Sequence, residues 1–300
     1  MVATVLVVGA NGQVGRALRA ASWPADLAPV FLDRRQLDIA DARTVCSLCQ
    51  MHKPAAILNA AAFSHVDKAE SDPEGALAAN RLGPLNLAIA AEAHGALLLH
   101  ISTDYVFDGS LRIPYPVDHP LSPLGVYGRS KAAGEQAVAA ACRRHLIVRT
   151  AWVFSAWAGN FARLVFDRAR GGLPLKVVSD QTGSPTPATD LAAACIAMIA
   201  QALQDDSSRL FGTHHYVGGP IADRLALAAA VLDEAERQGI ARPDVTPVPA
   251  STFAAPAPRP AWSVLDMSKT TELFGLPQPD WRPALAEAVQ VWAREKETPA

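Results

Sequence analysis

The feature that most constrains the fold of this chain is a glycine-rich turn that directly follows a short apolar run. Residues Thr4–Val8 are mostly aliphatic and β-branched, as is typical of a buried parallel strand. The segment Gly9–Gly15 follows with the spacing G-x-x-G-x-x-G, and a helical pattern begins at Gln13. Glycines between a strand and a helix permit a tight turn and let backbone N–H groups approach a pyrophosphate at the helix N-terminus. This order of elements predicts a dinucleotide-binding turn.

Strand-like and helical segments alternate through the first half of the chain. Short β-rich runs occur at Thr4–Val8, Val30–Leu32, Ala56–Leu58, Leu97–Ile101 and Leu146–Val148. The segments between them have the composition and periodicity of helices: Gln13–Ala21, Thr44–Met51, Ala76–His94 and Lys131–Ala141. The alternation predicts an α/β fold with a doubly wound, Rossmann-like parallel sheet. Right-handed crossovers then place all strand C-terminal ends on one rim.

The pattern changes after about Thr150. A few helices, such as Leu191–Leu203 and Leu225–Gln238, are separated by proline-rich connections at Gly183–Pro187, Val245–Pro249 and Ala254–Pro260. We predict an NAD(P)-binding Rossmann domain over residues 1–150 and a smaller, mainly substrate-binding region over residues 151–300. Some segments of that region, such as the strand Lys176–Val178, are expected to return to the main sheet.

Composition and charge narrow the class of partner. A chain of 300 residues, 50% hydrophobic and 19% charged, can bury a large core without disulfides or metals. A net charge of -2 gives no general field for an anionic polymer, so we expect neither a nucleic-acid nor a membrane partner. The first apolar run lacks a basic flank and is too short to span a bilayer, so a cytoplasmic protein is expected.

The 4 cysteines agree with a reducing compartment because they are scattered through helical, apolar segments. Cys46 and Cys49 form a C-x-x-C pair, with His52 three residues later. That spacing fits one face of a helix, and no second ligand pair accompanies it. We therefore predict no metal site.

The end of the second strand carries two opposing signals on cofactor choice. Asp33 can accept hydrogen bonds from both adenosine ribose hydroxyls, which favours NADH. Arg34 and Arg35 can neutralise a 2′-phosphate, which favours NADPH. The same charges are also compatible with a solvated turn, so the sequence leaves NADPH and NADH both open.

Tyr127 and Lys131 form a Tyr-x-x-x-Lys pair at the start of a helix, and this spacing projects both side chains into the same space. A phenol with a pKa of about 10 is a poor acid at neutral pH, but a nearby ammonium can lower that pKa by about 1–3 units. Tyr127 can then protonate a carbonyl oxygen as hydride arrives. Upstream, Ser102–Phe107 follows a strand, and Thr103 is the best candidate to hydrogen-bond the substrate carbonyl. The pattern predicts an NAD(P)H-dependent ketoreductase.

These stretches resemble the extended short-chain dehydrogenases/reductases, and nearly the full length resembles the dTDP-4-dehydrorhamnose reductase family. The later landmarks are the ones that separate this subfamily from its relatives. The landmarks are Gly9–Gly15, Asn59–Ala62, Val66–Glu70, Ser102–Phe107, Val126–Lys131, Arg149–Phe154, Asn160–Phe161, Asp180–Thr186 and Pro258–Pro260.

The resemblance implies reduction of dTDP-4-dehydro-β-L-rhamnose to dTDP-β-L-rhamnose, with Thr103, Tyr127 and Lys131 as the catalytic set. It implies that the substrate is held by Thr103, Asp104, Tyr127, Trp152 and Arg259. Trp152 would pack on the hexose, and Arg259 would clamp the diphosphate. The cofactor would be held by Gly9, Asn11, Gly12, Gln13, Val14, Gly15, Asp33, Arg34, Asp38, Ile39, Ala62, Phe63, Ser64, Ile101, Tyr127 and Lys131.

Two rival functions stay open on sequence alone. One is a reductase or reductase–epimerase of another nucleotide-linked 4-keto-6-deoxy sugar, and the other is a non-catalytic, NADP-binding regulatory subunit. Some relatives dimerise around Mg²⁺ through acidic side chains. Asp190 would supply one, but Arg16-Ala17 stands in the first helix and the C-terminal candidate falls in Ala293–Glu295. A Mg²⁺-linked dimer is therefore not expected, whereas a homodimer of another kind stays open.

Overall fold

The structure is a computed structural model and describes residues 2–205 and 207–295; position 206 and residues 296–300 of the predicted substrate-binding region lie outside it. The described strands are β1 (Ala3–Val8), β2 (Leu27–Leu32), β3 (Ala56–Asn59), β4 (Leu97–Thr103), β5 (His145–Thr150), β6 (Val153–Phe154), β7 (Leu175–Val178), β8 (Thr182–Gly183), β9 (Thr186–Pro187), β10 (Gly212–His215), β11 (Ala222–Asp223) and β12 (Val245–Val248).

The helices lie between these strands and at the C-terminal end of the described chain. They are α1 (Gln13–Ala20), α2 (Ala42–His52), α3 (Val66–Ser71), α4 (Pro73–Leu77), α5 (Gly83–His94), α6 (Val126–Ala141), α7 (Phe161–Arg170), α8 (Ala188–Gln204), α9 (Arg224–Arg237), α10 (Ser268–Phe274) and α11 (Trp281–Arg294). A π-helical turn at Ala78–Leu82 joins α4 to α5, and short 3₁₀ turns occur at Asp104–Val106, Ser208–Leu210 and Ala250–Thr252.

Six strands form one parallel sheet in the order β10-β5-β4-β3-β1-β2, which confirms the predicted doubly wound α/β fold. From β1 the chain crosses to β2 on one side, and from β2 it crosses to β3 on the other side of β1. The strand order therefore reverses between β1 and β3. In open α/β sheets, ligands bind in the crevice beyond the carboxyl ends of the strands at such a point.

The sheet has an apolar core on each face because alternate residues of a strand point to opposite sides. Val5 and Val7 of β1 belong to the core on the α1 and α8 side, while Leu6 and Val8 belong to the core on the α2 and α5 side. A third core, formed mainly by α7, α9 and α11, lies in the second half of the chain. Cys49 is buried in the core on the α2 and α5 side of the sheet, and burial raises its pKa to about 11, so its thiol is held protonated.

The prediction that Lys176–Val178 returns to the main sheet is wrong. This segment is part of β7, which pairs with β12 in a separate two-stranded sheet, and β10 takes the edge position beside β5. Strands β3 and β5 are buried at nearly every position, whereas Lys176 in β7 is exposed. A lysine at that place in the main sheet would lie under its covering helices, so the small half-exposed sheet accommodates β7 better.

No helix in the described ranges combines the length and the hydropathy that crossing a bilayer requires.

Candidate active site

The glycine turn lies at the strand-order reversal, as the sequence predicts. Gly9 has a φ of +84°, and a Cβ at this residue would lie 2.5 Å from the backbone N of Ala61. A Cβ at Gly15 would lie 2.2 Å from the carbonyl oxygen of Gly9, so α1 packs directly on the turn. Gly12 precedes α1, which has neither a capping side chain nor an acidic residue in its first turn. The N–H groups at the start of α1 are therefore available to an anion.

Two adjoining cavities surround this turn. The first, of about 300 Å³, is lined by seven of the predicted cofactor residues: Gly9, Asn11, Gly12, Arg34, Asp38, Ile39 and Ala62. The second, of about 430 Å³, is lined by eight: Gly12, Gln13, Val14, Ala62, Ser64, Ile101, Tyr127 and Lys131. Gly12 and Ala62 line both cavities, so the two join at the helix N-terminus. The long, two-part crevice has the shape that a dinucleotide requires.

Three predicted cofactor residues lie beside these cavities rather than in their walls. Gly15 packs against the turn, and the backbone N–H of Phe63 donates to Oδ1 of Asn80. Asp33 accepts from Nδ2 of Asn11 at 3.1 Å and from the backbone N–H of Arg35 at 2.9 Å. Hydrogen bonds lower the pKa of Asp33, and the largest contribution comes from the backbone N–H of Gln36. This carboxylate therefore shapes the turn at the rim of the first cavity.

The three predicted catalytic residues converge on the second cavity. Thr103 ends β4, and Tyr127 and Lys131 lie one turn apart in α6. Oγ1 of Thr103 donates to Oδ1 of Asp104 at 3.0 Å, and the Thr103 hydroxyl lies near enough to Tyr127 to lower the pKa of its phenol. Two hydroxyls thus meet at one point of the cavity wall, where a carbonyl oxygen can approach both.

The prediction that Lys131 lowers the pKa of Tyr127 is wrong for the chain without cofactor. Burial raises the pKa of Tyr127, Asp104 and Tyr105 raise it further, and only the hydroxyl of Thr103 acts in the other direction. Nζ of Lys131 instead lies 2.7 Å from the carbonyl oxygen of Ile101, on the β4 side of the cavity. The phenol is consequently held in its protonated, proton-donating form.

Lys131 also contacts a buried polar network that sequence reasoning missed. Its Nζ lies 3.3 Å from Nε2 of His100, and Nδ1 of His100 lies 3.0 Å from Nδ2 of Asn59. Oδ1 of Asn59 accepts from the backbone N–H of Ala61, so its NH₂ group must face His100. Nδ1 of His100 then accepts, and the ring proton is assigned to Nε2, which faces Lys131. The Nε2–H donor of His100 therefore points at the ammonium of Lys131, which is itself a donor. This arrangement disfavours the charged form of the lysine.

This orientation of His100 and the burial of Lys131, which is 1% exposed, both favour a lower pKa for the lysine. Burial lowers the pKa of Lys131 to about 8, although the nearby carboxylate of Glu135 favours the ammonium. Burial and the charge of Lys131 also hold the pKa of His100 well below its usual range, so the ring is neutral. The chain therefore places a lysine that titrates near physiological pH beside the predicted proton donor.

The predicted hexose side of the cavity contains Asp104 and Trp152. Asp104 is 2% exposed, and burial raises its pKa to about 6. Its Oδ2 has no partner within hydrogen-bond distance among the described residues, although Ser263 lies near enough to lower the pKa of the carboxyl, so this oxygen can accept a further hydrogen bond at the cavity wall. Trp152 has a φ of 45°, a conformation that non-glycine residues adopt mostly where surrounding structure imposes it, often at ligand sites.

Arg259, the predicted diphosphate clamp, is already paired. Its NH1 and NH2 groups donate to Oδ1 and Oδ2 of Asp67 at 3.0 and 2.7 Å. Arg259 also lines a third cavity, of about 530 Å³, which contains Phe253 and Pro258. This cavity meets the catalytic one at Arg224, a residue that sequence reasoning missed because no motif surrounds it. His100 carried a weak signal, as a polar residue between the apolar run Leu97–Leu99 and Ile101 in β4.

The residues considered for a metal-linked dimer have other contacts. NH1 of Arg16 donates to the carbonyl oxygen of Trp157, and Glu295 pairs with Arg163. Burial and the charge of Glu287 in α11 raise the pKa of Asp190. The acidic neighbour of Asp190 is therefore Glu287 rather than Glu295. Within the part of the chain that the structure describes, no three His, Cys, Asp or Glu side chains are grouped for a metal ion.

Comparison with known proteins agrees with this geometry. The family model of the RmlD substrate binding domain matches residues 3–294. A dTDP-4-dehydrorhamnose reductase of Sinorhizobium fredii is 39% identical over 290 residues, which cover 96% of each chain. A crystal structure of a dTDP-4-dehydrorhamnose reductase from Clostridium acetobutylicum has a TM-score of 0.89 at 32% identity and covers 96% of this chain and 99% of that one. Its counterpart from Bacillus anthracis, in complex with NADP, has a TM-score of 0.87 at 33% identity, covering 96% and 98%.

The doubly wound sheet, the glycine turn at its strand-order reversal and the Tyr-x-x-x-Lys helix at its rim define an extended short-chain dehydrogenase/reductase. The similarity to curated and solved relatives extends over nearly their whole length. The chain belongs to the dTDP-4-dehydrorhamnose reductase family.

Proposed function

We propose that this chain reduces dTDP-4-dehydro-β-L-rhamnose to dTDP-β-L-rhamnose with NADPH or NADH. The observation that carries the proposal is the convergence of Thr103, Tyr127 and Lys131 on a cavity that joins the glycine-turn cavity on one side. On the other side it joins a third cavity at Arg224, which gives room for a nucleotide attached to the sugar. The full-length similarity to dTDP-4-dehydrorhamnose reductases supports this choice of sugar nucleotide.

The residues around the crevice fit a nicotinamide dinucleotide. At Gly12 the nearest atom to an added Cβ is 3.4 Å away, so the backbone is open where a pyrophosphate would lie. Asp38 and Ile39 line the space for the adenine ring, and Ile101 and Lys131 line the space for the nicotinamide ribose. When bound there, the reduced cofactor supplies the hydride.

We propose that both cofactors are accepted and that NADPH is modestly preferred. Arg34 is exposed and lines the first cavity, where its guanidinium is free to meet a 2′-phosphate. Asp33 favours NADH less strongly than its position suggests, because backbone N–H groups and Asn11 already occupy its oxygens. The relative from Bacillus anthracis that is 33% identical was solved with NADP, which supports the same preference.

In the proposed mechanism, Thr103 and Tyr127 bind the C4 carbonyl oxygen of the sugar and orient it. Burial keeps the pKa of Tyr127 above its usual value, so the phenol is a proton donor over the physiological pH range. Tyr127 protonates the oxygen as negative charge develops on it, and the ammonium form of Lys131 stabilises that charge. Asp104 offers its unpaired oxygen to a sugar hydroxyl.

Oxidation of NADPH in the presence of 4-keto-6-deoxyhexoses linked to dTDP, UDP or GDP tests the substrate assignment. We expect the dTDP-linked sugar to react with the highest kcat/KM. A clear preference for a UDP or GDP sugar would support the rival keto-sugar reductase. Absence of turnover with all three, together with normal NADPH binding, would support the regulatory subunit.

Asn59→Asp is expected to raise the pKa of Lys131. The introduced carboxylate can accept from both Ala61 and Nδ1–H of His100, so Nε2 of His100 becomes an acceptor for the ammonium. A hydrogen bond to a charged group contributes about 1.5–3 kcal/mol, which corresponds to about 1–2 pKa units. The decline of kcat on the alkaline side, expected at a pH of about 8 in the parent, should move upward by that amount.

¹⁵N NMR of the imidazole nitrogens provides the direct readout for this change. The protonated ring nitrogen of His100 should be Nε2 in the parent and Nδ1 in Asn59→Asp. A loss of activity without a change in tautomer or in the pH profile would contradict the proposed role of the network.

A further inference from the structure

Arg224 is a cation at the junction of two cavities. It is the first residue of α9, and it lines both the catalytic cavity and the third cavity. No described carboxylate forms a salt bridge with its guanidinium, and Asp104 and Tyr105 influence it only at longer range. Burial lowers the pKa of Arg224 to about 10, so the group remains charged at the expense of its hydration. A buried charge of this kind is stabilised by an anion.

Within the described ranges, aromatic rings hold the guanidinium and no acceptor forms a hydrogen bond with its N–H groups. Its central carbon lies 3.5 Å from the ring centroid of Trp152 and 4.9 Å from that of Phe161. Gly183 also lies against the indole, since a Cβ there would be 2.6 Å from Cε2 of Trp152. Stacking on an aromatic ring uses the face of the guanidinium and leaves its N–H groups free at the edge. That edge can bind two phosphate oxygens in a bidentate manner.

We propose that Arg224 is the residue that binds the diphosphate of the substrate, and that Trp152 positions Arg224 for this contact. The inference rests on the proposed function, because it takes the substrate to be a nucleoside diphosphate sugar. A sugar at Thr103 and Tyr127 and a nucleoside in the third cavity place the connecting diphosphate at Arg224. Arg259, the other arginine of the third cavity, is neutralised by Asp67. Arg224 lies over one face of the indole that is predicted to pack on the hexose, and Trp152 also lines the catalytic cavity.

The test measures binding by calorimetry with the protein saturated with NADP⁺, using dTDP, thymidine and inorganic pyrophosphate as probes. Arg224→Met should weaken dTDP and pyrophosphate binding by about 10–100-fold, the effect of losing a charge-assisted hydrogen bond. Thymidine binding should not change. Arg224→Lys should lose less affinity, because it keeps the charge but not the bidentate geometry. Trp152→Leu should weaken dTDP binding in the parent but not in Arg224→Met.

Arg259→Met is the matched control, since it removes a guanidinium from the same cavity. Equal dTDP affinity in the parent and Arg224→Met, or a larger loss in Arg259→Met, would overturn the inference while leaving the proposed function intact. Equal losses for dTDP and thymidine in Arg224→Met would also overturn it, by indicating a structural role. If the parent binds pyrophosphate through Arg224 but binds UDP or GDP as tightly as dTDP in the same calorimetric assay, the diphosphate site stands and the proposed substrate fails.

Discussion

Tyr127→Phe is expected to lower kcat for ketone reduction by about 10²–10⁴-fold, the usual contribution of a general acid. The substitution removes only the hydroxyl that meets Thr103, while the ring keeps its edge-to-face contact with Tyr105 at 5.5 Å. NADPH affinity should fall much less than kcat, because the glycine turn and Lys131, which contact the rest of the cofactor, are untouched. Single-turnover reduction at saturating NADPH measures the effect on the chemical step.

Tyr105→Phe is the matched control for this experiment. It removes a phenolic hydroxyl from the same cavity, but from a ring outside the Thr103, Tyr127 and Lys131 cluster. We expect this variant to retain most of the parent kcat. An unchanged kcat in Tyr127→Phe, or equal losses in the two variants, would contradict the assignment of Tyr127 as the proton donor.

Arg149→Met is expected to lower the free energy of unfolding by about 3–5 kcal/mol, as is typical when one partner of a buried ion pair is removed. NH2 of Arg149 lies 2.7 Å from Oε2 of Glu135, and the two side chains are 5% and 4% exposed. NH1 of Arg149 also donates to the carbonyl oxygen of Val117. Among the described residues, the variant leaves the buried carboxylate of Glu135 with Ser102 as its hydrogen-bond partner and the ammonium of Lys131 nearby, but without its bidentate guanidinium partner.

Denaturation by urea, compared with the parent at the same pH, measures this loss. An unpaired buried carboxylate has a raised pKa, so the folded variant gains protons more readily than the unfolded chain. The deficit should therefore shrink as the pH falls. A double variant, Arg149→Met with Glu135→Met, should recover part of the stability because it removes the carboxylate that loses its guanidinium partner in the single variant. A deficit below about 1 kcal/mol, or one independent of pH, would contradict the buried ion pair.

The features that sequence predicts well depend on neighbouring residues. The glycine turn follows from seven consecutive residues, and the shared direction of Tyr127 and Lys131 follows from helical spacing. The parallel sheet follows from the alternation of strands and helices, since right-handed crossovers leave few arrangements. Because the ends of β1, β3 and β4 meet at one rim, these local predictions also bring Gly12, Thr103 and Tyr127 to one cavity.

The features that sequence missed depend on residues far apart in the chain. Asp67 and Arg259 are separated by 192 positions, and their pairing changes what Arg259 can bind. Arg224 stacks on Trp152 although neither belongs to a shared motif. The tautomer of His100 depends on Asn59 and Ala61 in a different strand and loop. β7, in which Lys176 is exposed, pairs with β12 in a separate sheet, and these two strands lie far apart in the chain.

Transfer of deuterium from [4-²H]NADPH to dTDP-4-dehydro-β-L-rhamnose tests the central claim most directly. The product is analysed by NMR for the position of the deuterium and the configuration at C4 of the sugar. We predict dTDP-β-L-rhamnose with deuterium at C4, formed by the parent and lost in Tyr127→Phe. A product with the other configuration at C4, deuterium at another carbon, or no transfer by protein that binds NADPH normally would contradict the account.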